Sequence, residues 1–105
     1  MENLNLQKYQ KEIAILCKKW RIKELSIFGS ALRSDFHPKS DIDILINFDL
    51  NANWGFFDLV HIEEDFERLF KRRVDLVTRR GIESSQNFIR KNNILKEAKV
   101  IYGAG

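Results

Sequence analysis

Two short apolar segments separated by a polar stretch constrain the fold of this chain more than any other feature. The first, residues 25–28, ends at Gly29-Ser30, and the second, residues 41–48, carries isoleucine at every second position until Phe48. An alternation of period two is typical of a β-strand, because successive side chains point to opposite faces. Leu45 makes the other face of the second segment apolar as well. The pattern therefore predicts two strands, the second being central and covered on both sides over much of its length.

The second segment begins with a pair of carboxylates, Asp41 and Asp43. Two residues apart on a strand, both side chains point the same way, and two carboxylates on one face repel each other unless a cation lies between them. Hard oxygen ligands suit Mg²⁺, which also binds substrate phosphates. We therefore predict a metal site. The alternative is a solvent-facing strand start, but the apolar residues after Asp43 carry the strand into a core.

Gly29-Ser30 predicts a tight turn at the end of the first strand. Glycine tolerates unusual backbone angles and lets a phosphate approach closely, while Ser30 offers a hydroxyl and a backbone N–H. Arg33 and Lys39 flank this turn and are candidates for contacts with phosphate oxygens. An ordinary turn with solvated basic residues is the alternative. Because the turn occurs together with the carboxylates, we predict that Gly29, Ser30 and Arg33 bind a nucleotide.

A third carboxylate is predicted at Asp75, which interrupts the apolar strand pattern of residues 73–78. A two-metal site usually needs such a group, to bridge the ions or to take the proton of an attacking hydroxyl. If this strand lies beside the second one, Asp75 and Asp43 can converge. The alternatives are a half-exposed strand aspartate with no role, or Asp35 or Asp49 as the third acid, although both lie in predicted loops.

The remaining patterns predict an α/β (α+β) arrangement of helix, strand, strand, helix, strand and helix, with a mixed sheet whose helices cover one face. Residues 9–20 form the first helix, with Cys17 on its apolar side, where it is predicted to serve packing. A final helical region spans 85–98, with a break near Asn92-Asn93. Residues 100–102 form an edge strand. The second helix spans 56–71, and its inward-facing residues are predicted to be Phe56, Leu59, Val60, Phe66 and Phe70.

Composition excludes several classes of protein. The 105 residues suffice for one domain, 1–105, and the net charge of +3 is too mild to indicate nucleic-acid binding, whereas a polyanionic small ligand fits. Cys17 is the only cysteine, so no intrachain disulfide is possible and a reducing cytoplasm is expected. No apolar stretch approaches the roughly 18 residues of a membrane span, so no membrane partner is expected.

Residues 28–33, Phe-Gly-Ser-Ala-Leu-Arg, followed by 40–46, Ser-Asp-Ile-Asp-Ile-Leu-Ile, resemble the polymerase-beta-like nucleotidyltransferases, and within them the minimal nucleotidyltransferases of the MntA-like antitoxin group. The similarity is specific over residues 25–48 and looser through 74–76 and the C-terminal helix. Many relatives have glycine where this chain has Ser34. This difference affects the expected geometry of the loop, but not the metal site.

The resemblance implies a polymerase-beta-like fold in a single minimal domain, with Gly29 and Ser30 as the triphosphate-binding turn, Asp41 and Asp43 as metal ligands, and Asp75 as the third acid. It implies two Mg²⁺ ions and the transfer of AMP from ATP to a hydroxyl, with release of pyrophosphate. Members of the closest group modify a tyrosine of a HEPN-domain toxin (HepT-like). The resemblance therefore implies that the chain is a protein adenylyltransferase and an antitoxin.

Two other functions stay open at this point. One is a non-catalytic binding module that neutralises its partner by contact, and the other is a nucleotidyltransferase for a small-molecule or nucleic-acid acceptor, for which acceptor-gripping domains are expected. A protein acceptor or a second copy of the chain, in a homodimer, is expected to complete the site. Candidate docking features are the last strand, exposed aromatics such as Trp54, and the basic clusters at residues 71–73, 79–80 and 90–91.

Overall fold

The sheet at the centre of the protein has four strands. The computed structural model describes residues 6–29 and 41–103. After a short 3₁₀ helix at Leu6–Tyr9, the elements follow in the order helix, strand, strand, helix, strand, helix, helix, strand. The strands β1 to β4 span Ile22–Phe28, Ile42–Phe48, Val74–Thr78 and Lys99–Tyr102. The helices α1 to α4 span Gln10–Lys19, Phe56–Phe70, Arg79–Glu83 and Phe88–Glu97.

The strand order is β3-β2-β1-β4, so β2 is central, as its two-sided apolar pattern predicts. It pairs antiparallel with β1 and parallel with β3, and β4 adds antiparallel to the free side of β1. The mixed sheet and the edge position of the last strand are confirmed. Since β1 and β2 are joined through residues 29–41, the turn and the start of β2 lie at the same end of the sheet.

One face of the sheet carries the main core, against which α1 and α2 pack. Ile42, Ile44 and Ile46 of β2 are fully buried there, together with Phe66 of α2 and Cys17 of α1. Burial raises the pKa of the Cys17 thiol to about 12, so the thiolate that would react is disfavoured. The prediction that Cys17 serves packing is confirmed.

The opposite face carries a second, smaller core formed by Phe28, Leu45, Ile82 and Ile94. Because Ile82 belongs to α3 and Ile94 to α4, the prediction that helices cover only one face is wrong. Helix α3 itself was not predicted, since five residues are too few to show a helical period. The side chain of Thr78 starts it by accepting a hydrogen bond of 3.0 Å from the N–H of Gly81.

Two details of the helices also differ from the sequence prediction. Helix α4 runs without a break through Asn92-Asn93, because Ile94 is anchored in the second core. On α2, Phe66 and Phe70 point inward as predicted, but Phe56 and Val60 are exposed. Ile62 occupies the inward position instead, fully buried in the main core.

A buried carboxylate, Asp65, joins α1 to α2. It accepts hydrogen bonds from Lys19 Nζ at 2.9 Å and Trp20 Nε1 at 2.8 Å, and it also pairs with Arg68 on its own helix. Burial alone would raise the pKa of Asp65, but the hydrogen bonds and the nearby positive charges outweigh it and lower this pKa. The ionised carboxylate therefore stabilises the contact between the two helices.

Trp54 belongs to this junction rather than to an exposed docking surface. Its ring packs edge-on against Trp20, with centroids 5.2 Å apart, and its Nε1 donates to the Trp20 carbonyl at 2.7 Å. The side chain is half-buried. The prediction that Trp54 is an exposed aromatic is therefore wrong, because its polar and apolar surfaces are both used in holding residues 49–55 against α1.

The outer edge of β3 is covered by carboxylates from α2. Glu67 Oε2 accepts from the N–H of Val74 at 3.0 Å, and Glu63 Oε2 accepts from the N–H of Leu76 at 3.3 Å. These are the N–H groups that point away from β2, so the helix satisfies the donors that an edge strand otherwise exposes.

Among the helices within residues 6–29 and 41–103, none has both the length and the apolar character to cross a membrane.

Replacing Asp65 with asparagine is expected to lower the free energy of unfolding by about 2 kcal/mol at pH 7, since charged hydrogen bonds to a buried acceptor are lost. Because the folded pKa of Asp65 is lowered, its contribution is present above the unfolded value of about 3.9 and is lost as pH falls through the folded value. Urea unfolding at pH 7 and at pH 3 measures both effects.

The matched control is Glu64→Gln, at the next position of α2, where the side chain is 51% exposed and contacts His61 at 3.3 Å. It should change stability by less than about 0.5 kcal/mol. A gap between wild type and Asp65→Asn that stays constant from pH 7 to pH 3 would contradict the proposed charge pairing.

Candidate active site

The parallel pairing of β2 with β3 brings two of the predicted carboxylates together. Asp43 and Asp75 are register partners, and the next pair on the same face is Leu45 with Val77. Asp41 lies two residues before Asp43, immediately before β2, and is close enough to act electrostatically on Asp43. The three acidic side chains are thus placed at one end of the sheet, on the face of the smaller core.

The carboxylate of Asp43 is the one most affected by its surroundings. Its partial burial raises its pKa, the negative charges of Asp75 and Asp41 raise it further, and the positive charge of Arg90 acts in the opposite direction. The acids are therefore close enough to repel one another. A cation bound between them would remove this repulsion, which is the electrostatic condition that favours a divalent metal.

Gly29 lies directly against this carboxylate. Its φ is +74°, in the left-handed region that favours glycine, as the predicted tight turn requires. A Cβ atom at this position would overlap with Asp43 Oδ2. The absence of a side chain at residue 29 is therefore what leaves room for the Asp43 carboxylate beside the turn.

The donor set fits Mg²⁺ held jointly by protein and substrate. Asp41 and Asp75 are exposed and Asp43 is half-buried, so their oxygens are open to a ligand. In the described parts of the chain, no three Asp, Glu, His or Cys side chains converge as a ready-made metal-binding group. Mg²⁺ is commonly bound by one or two carboxylates and completed by substrate phosphates, and this arrangement matches that mode.

Several predicted site residues fall outside the described ranges. Ser30 and Arg33, predicted to bind the nucleotide, and Lys39 all belong to residues 30–40, and their roles stay predictions. Two described residues near the acids were not predicted for the site. The sequence places Arg90 only in a candidate docking cluster. Glu63, which carries a raised pKa through burial and through the charges of Glu67 and Asp75, gave no sequence signal, because its approach depends on how α2 packs.

A glycine turn against the Asp43 carboxylate, with Asp41 two residues before it and Asp75 on the adjacent strand, is typical of proteins that transfer phosphate-containing groups. The sequence profile of the nucleotidyltransferase domain matches residues 10–101. The chain belongs to this nucleotidyltransferase family, and it is accordingly an enzyme.

Relatives identify the branch of the family. The chain is 32% identical over 69 residues to the protein adenylyltransferase MntA of Thermococcus cleftensis. The matched region covers 66% of this chain and 68% of that protein. It is 34% identical over 79 residues to a candidate protein adenylyltransferase of Methanocaldococcus jannaschii, MJ1379, covering 75% and 76% of the two chains. A second such protein, MJ0435, is 32% identical over 95 residues, covering 90% and 96%. The resemblance to the MntA-like group is confirmed.

Solved structures share the fold. A toxin–antitoxin complex with AMP-PNP contains a chain that superposes with a TM-score of 0.69 at 18% identity, covering 90% of this chain and 73% of that one. A candidate minimal nucleotidyltransferase superposes with a TM-score of 0.67 at 22% identity, covering 94% and 98%. The complex of a tri-AMPylated Shewanella oneidensis HEPN toxin with its MNT antitoxin gives 0.65 at 18%, covering 95% and 74%. The predicted fold class is confirmed.

Gly29→Ala is expected to weaken Mg²⁺-ATP binding by about tenfold or more, since the added methyl group would force Asp43 or the turn to move. Isothermal titration calorimetry measures the affinity. The matched control is Gly55→Ala at the start of α2, where φ is negative and the nearest atom to an added Cβ is 3.9 Å away. Equal ATP affinity in both variants would contradict the close approach of Gly29 to the site.

Proposed function

We propose that this protein transfers AMP from ATP to a tyrosine hydroxyl of a HEPN-domain toxin (HepT-like) and thereby neutralises it as the antitoxin of the pair. The observation that carries the proposal is the register pairing of Asp43 with Asp75 beside Gly29. It supplies the carboxylates that a nucleotidyl transfer needs, beside a turn whose glycine leaves room for Asp43. The similarity to MntA of Thermococcus cleftensis, a protein adenylyltransferase, supports a protein acceptor.

In the proposed reaction, the acceptor oxygen forms a bond to the α-phosphorus while the bond from that phosphorus to the bridging oxygen breaks, and pyrophosphate leaves with the electron pair. Asp41 and Asp43 would hold the Mg²⁺ ions, Gly29 leaves room for the Asp43 carboxylate, and Ser30 and Arg33 bind the phosphates. Asp75, exposed at the same end of the sheet, accepts the proton of the attacking hydroxyl. Two bound Mg²⁺ ions would neutralise the phosphates and lower the pKa of that hydroxyl.

Exposed apolar side chains next to Arg90 in the chain favour a protein acceptor over a small molecule. Phe88 and Ile89, in the first turn of α4, are 68% and 77% exposed, and the next residue, Arg90, acts electrostatically on Asp43. Adjacent large apolar residues at the rim of a polar site are suited to a protein surface.

We place the reaction in the cytoplasm, where ATP is available and a free thiol such as Cys17 stays reduced.

A second candidate function is neutralisation by contact alone. It is favoured by another exposed aromatic pair, Phe56 and Phe57, whose rings pack edge-on 5.7 Å apart at the start of α2. This pair does not involve the acidic residues. A protein that blocks its partner through such a surface would tolerate the loss of any carboxylate, so the two functions make opposite predictions for the aspartates.

Incubation with the partner toxin, Mg²⁺ and ATP labelled on the α-phosphate should place label on the toxin, whereas ATP labelled on the γ-phosphate should not. Asp41→Asn and Asp43→Asn should each reduce transfer by about a hundredfold or more. Asp75→Asn should reduce transfer while part of the ATP affinity is retained. The matched control, Asp49→Asn, removes an exposed carboxylate just beyond the other end of β2 and should transfer normally.

If the toxin is neutralised by Asp41→Asn and Asp43→Asn proteins with no label transferred, the contact function replaces the enzymatic one. Transfer unaffected by Asp75→Asn would show that the proton acceptor is a different group.

Replacing Phe88 with serine is expected to raise the KM for the toxin by about tenfold without changing the KM for ATP, because an exposed aromatic anchor is lost from the acceptor side of the site. Steady-state kinetics with each substrate varied in turn separates the two effects. Phe57→Ser is the control, since Phe57 is 78% exposed on another helix. Impaired transfer in Phe57→Ser and normal transfer in Phe88→Ser would place the acceptor on α2 instead.

A further inference from the structure

The second core holds α4 over the face of the sheet that carries the acids. Ile94 is buried with Phe28 and Leu45, and Phe28 is the register partner of Asp43 in the antiparallel β1–β2 pair. Leu45 lies two residues beyond Asp43 on the same face of β2. The position of α4 relative to the catalytic carboxylates is therefore set by packing between buried apolar side chains.

Arg90 lies one helical turn before Ile94, on the same side of α4, because residues four apart in an α-helix share a face. Its positive charge counteracts the effect of Asp75 and Asp41 on Asp43, so its guanidinium lies near the acids. The side chain is exposed. Within residues 6–29 and 41–103, no carboxylate lies within salt-bridge distance of it.

An arginine near the acids but not ion-paired with them fits an incoming polyanion. The guanidinium stays charged at all physiological pH values, and its planar N–H donors match two phosphate oxygens at once. The carboxylates themselves repel phosphate, so a fixed cation on the facing helix offsets part of that repulsion. A guanidinium can neutralise non-bridging phosphate oxygens without displacing the carboxylates from a metal.

We propose that Arg90 contacts the β- and γ-phosphates of the bound nucleotide and holds the pyrophosphate as it leaves. This inference rests on the proposed nucleotidyl transfer and adds a residue from α4 to the site. As the bond between the α-phosphorus and the bridging oxygen breaks, negative charge accumulates on the departing pyrophosphate. A cation on that side stabilises the developing charge, so Arg90 binds the leaving group more strongly than it binds AMP.

Calorimetric titrations of Arg90→Ala with ATP, pyrophosphate and AMP test the proposal, with Ca²⁺ replacing Mg²⁺ to prevent turnover. Affinities for ATP and pyrophosphate should fall by about tenfold, and the affinity for AMP should not change. Arg90→Lys should recover part of the loss, since it keeps the charge but not the planar donors. Lys96→Ala, which removes an exposed cation from the far end of the same helix, should bind all three ligands like the wild type.

Thermal unfolding of each variant checks that α4 remains folded. Unchanged ATP and pyrophosphate affinity in Arg90→Ala would overturn the proposal, as would a defect confined to the KM for the toxin, which would assign Arg90 to acceptor docking. An equal loss for all three ligands would also overturn it, because the phosphate specificity would be absent. If wild-type protein transfers label to the toxin in any of these cases, the proposed function stands and only the role of Arg90 fails.

Discussion

The register of β2 between its two neighbours is the constraint on which the rest of the structure depends. In the observed register, Ile42, Ile44 and Ile46 enter the main core, and Asp43 faces the opposite side with Leu45. A slip of one residue would exchange the two faces, placing a carboxylate in the core and isoleucines on the side of the acids. The same side-chain alternation that buries the core therefore orients the acids of the candidate site.

The candidate site contains groups that destabilise the ligand-free protein locally. Asp43 is half-buried and faces two further negative charges, which raises its pKa, and Gly29 adopts a backbone angle that other residues rarely take. These features weaken the fold locally, and the main core on the other face of the sheet offsets them. A bound metal and nucleotide would relieve the repulsion, so stabilisation of the protein by its ligands follows from the same charges.

Sequence reasoning succeeded where a pattern was local and regular. The strands, the glycine turn and the candidate acid Asp75 followed from alternation and its interruptions. It failed at α3, which is too short for a periodic signal, and at Asn92-Asn93, where low helix propensity is overcome by the anchoring of Ile94. It also failed at Phe56, where apolar character was read as burial although large apolar side chains can remain exposed.

The sequence by itself determined that a strand would carry Asp43 on the face opposite its isoleucines and that Gly29 would end the preceding strand, because side-chain direction along a strand and the backbone freedom of glycine are local properties. Only the tertiary structure decided that β3 lies parallel beside β2, in the register that pairs Asp43 with Asp75. It also decided that α4 brings Arg90 near the acids and that α2 covers the edge of β3. These contacts join segments distant in the chain, and they are selected by how buried apolar surfaces pack.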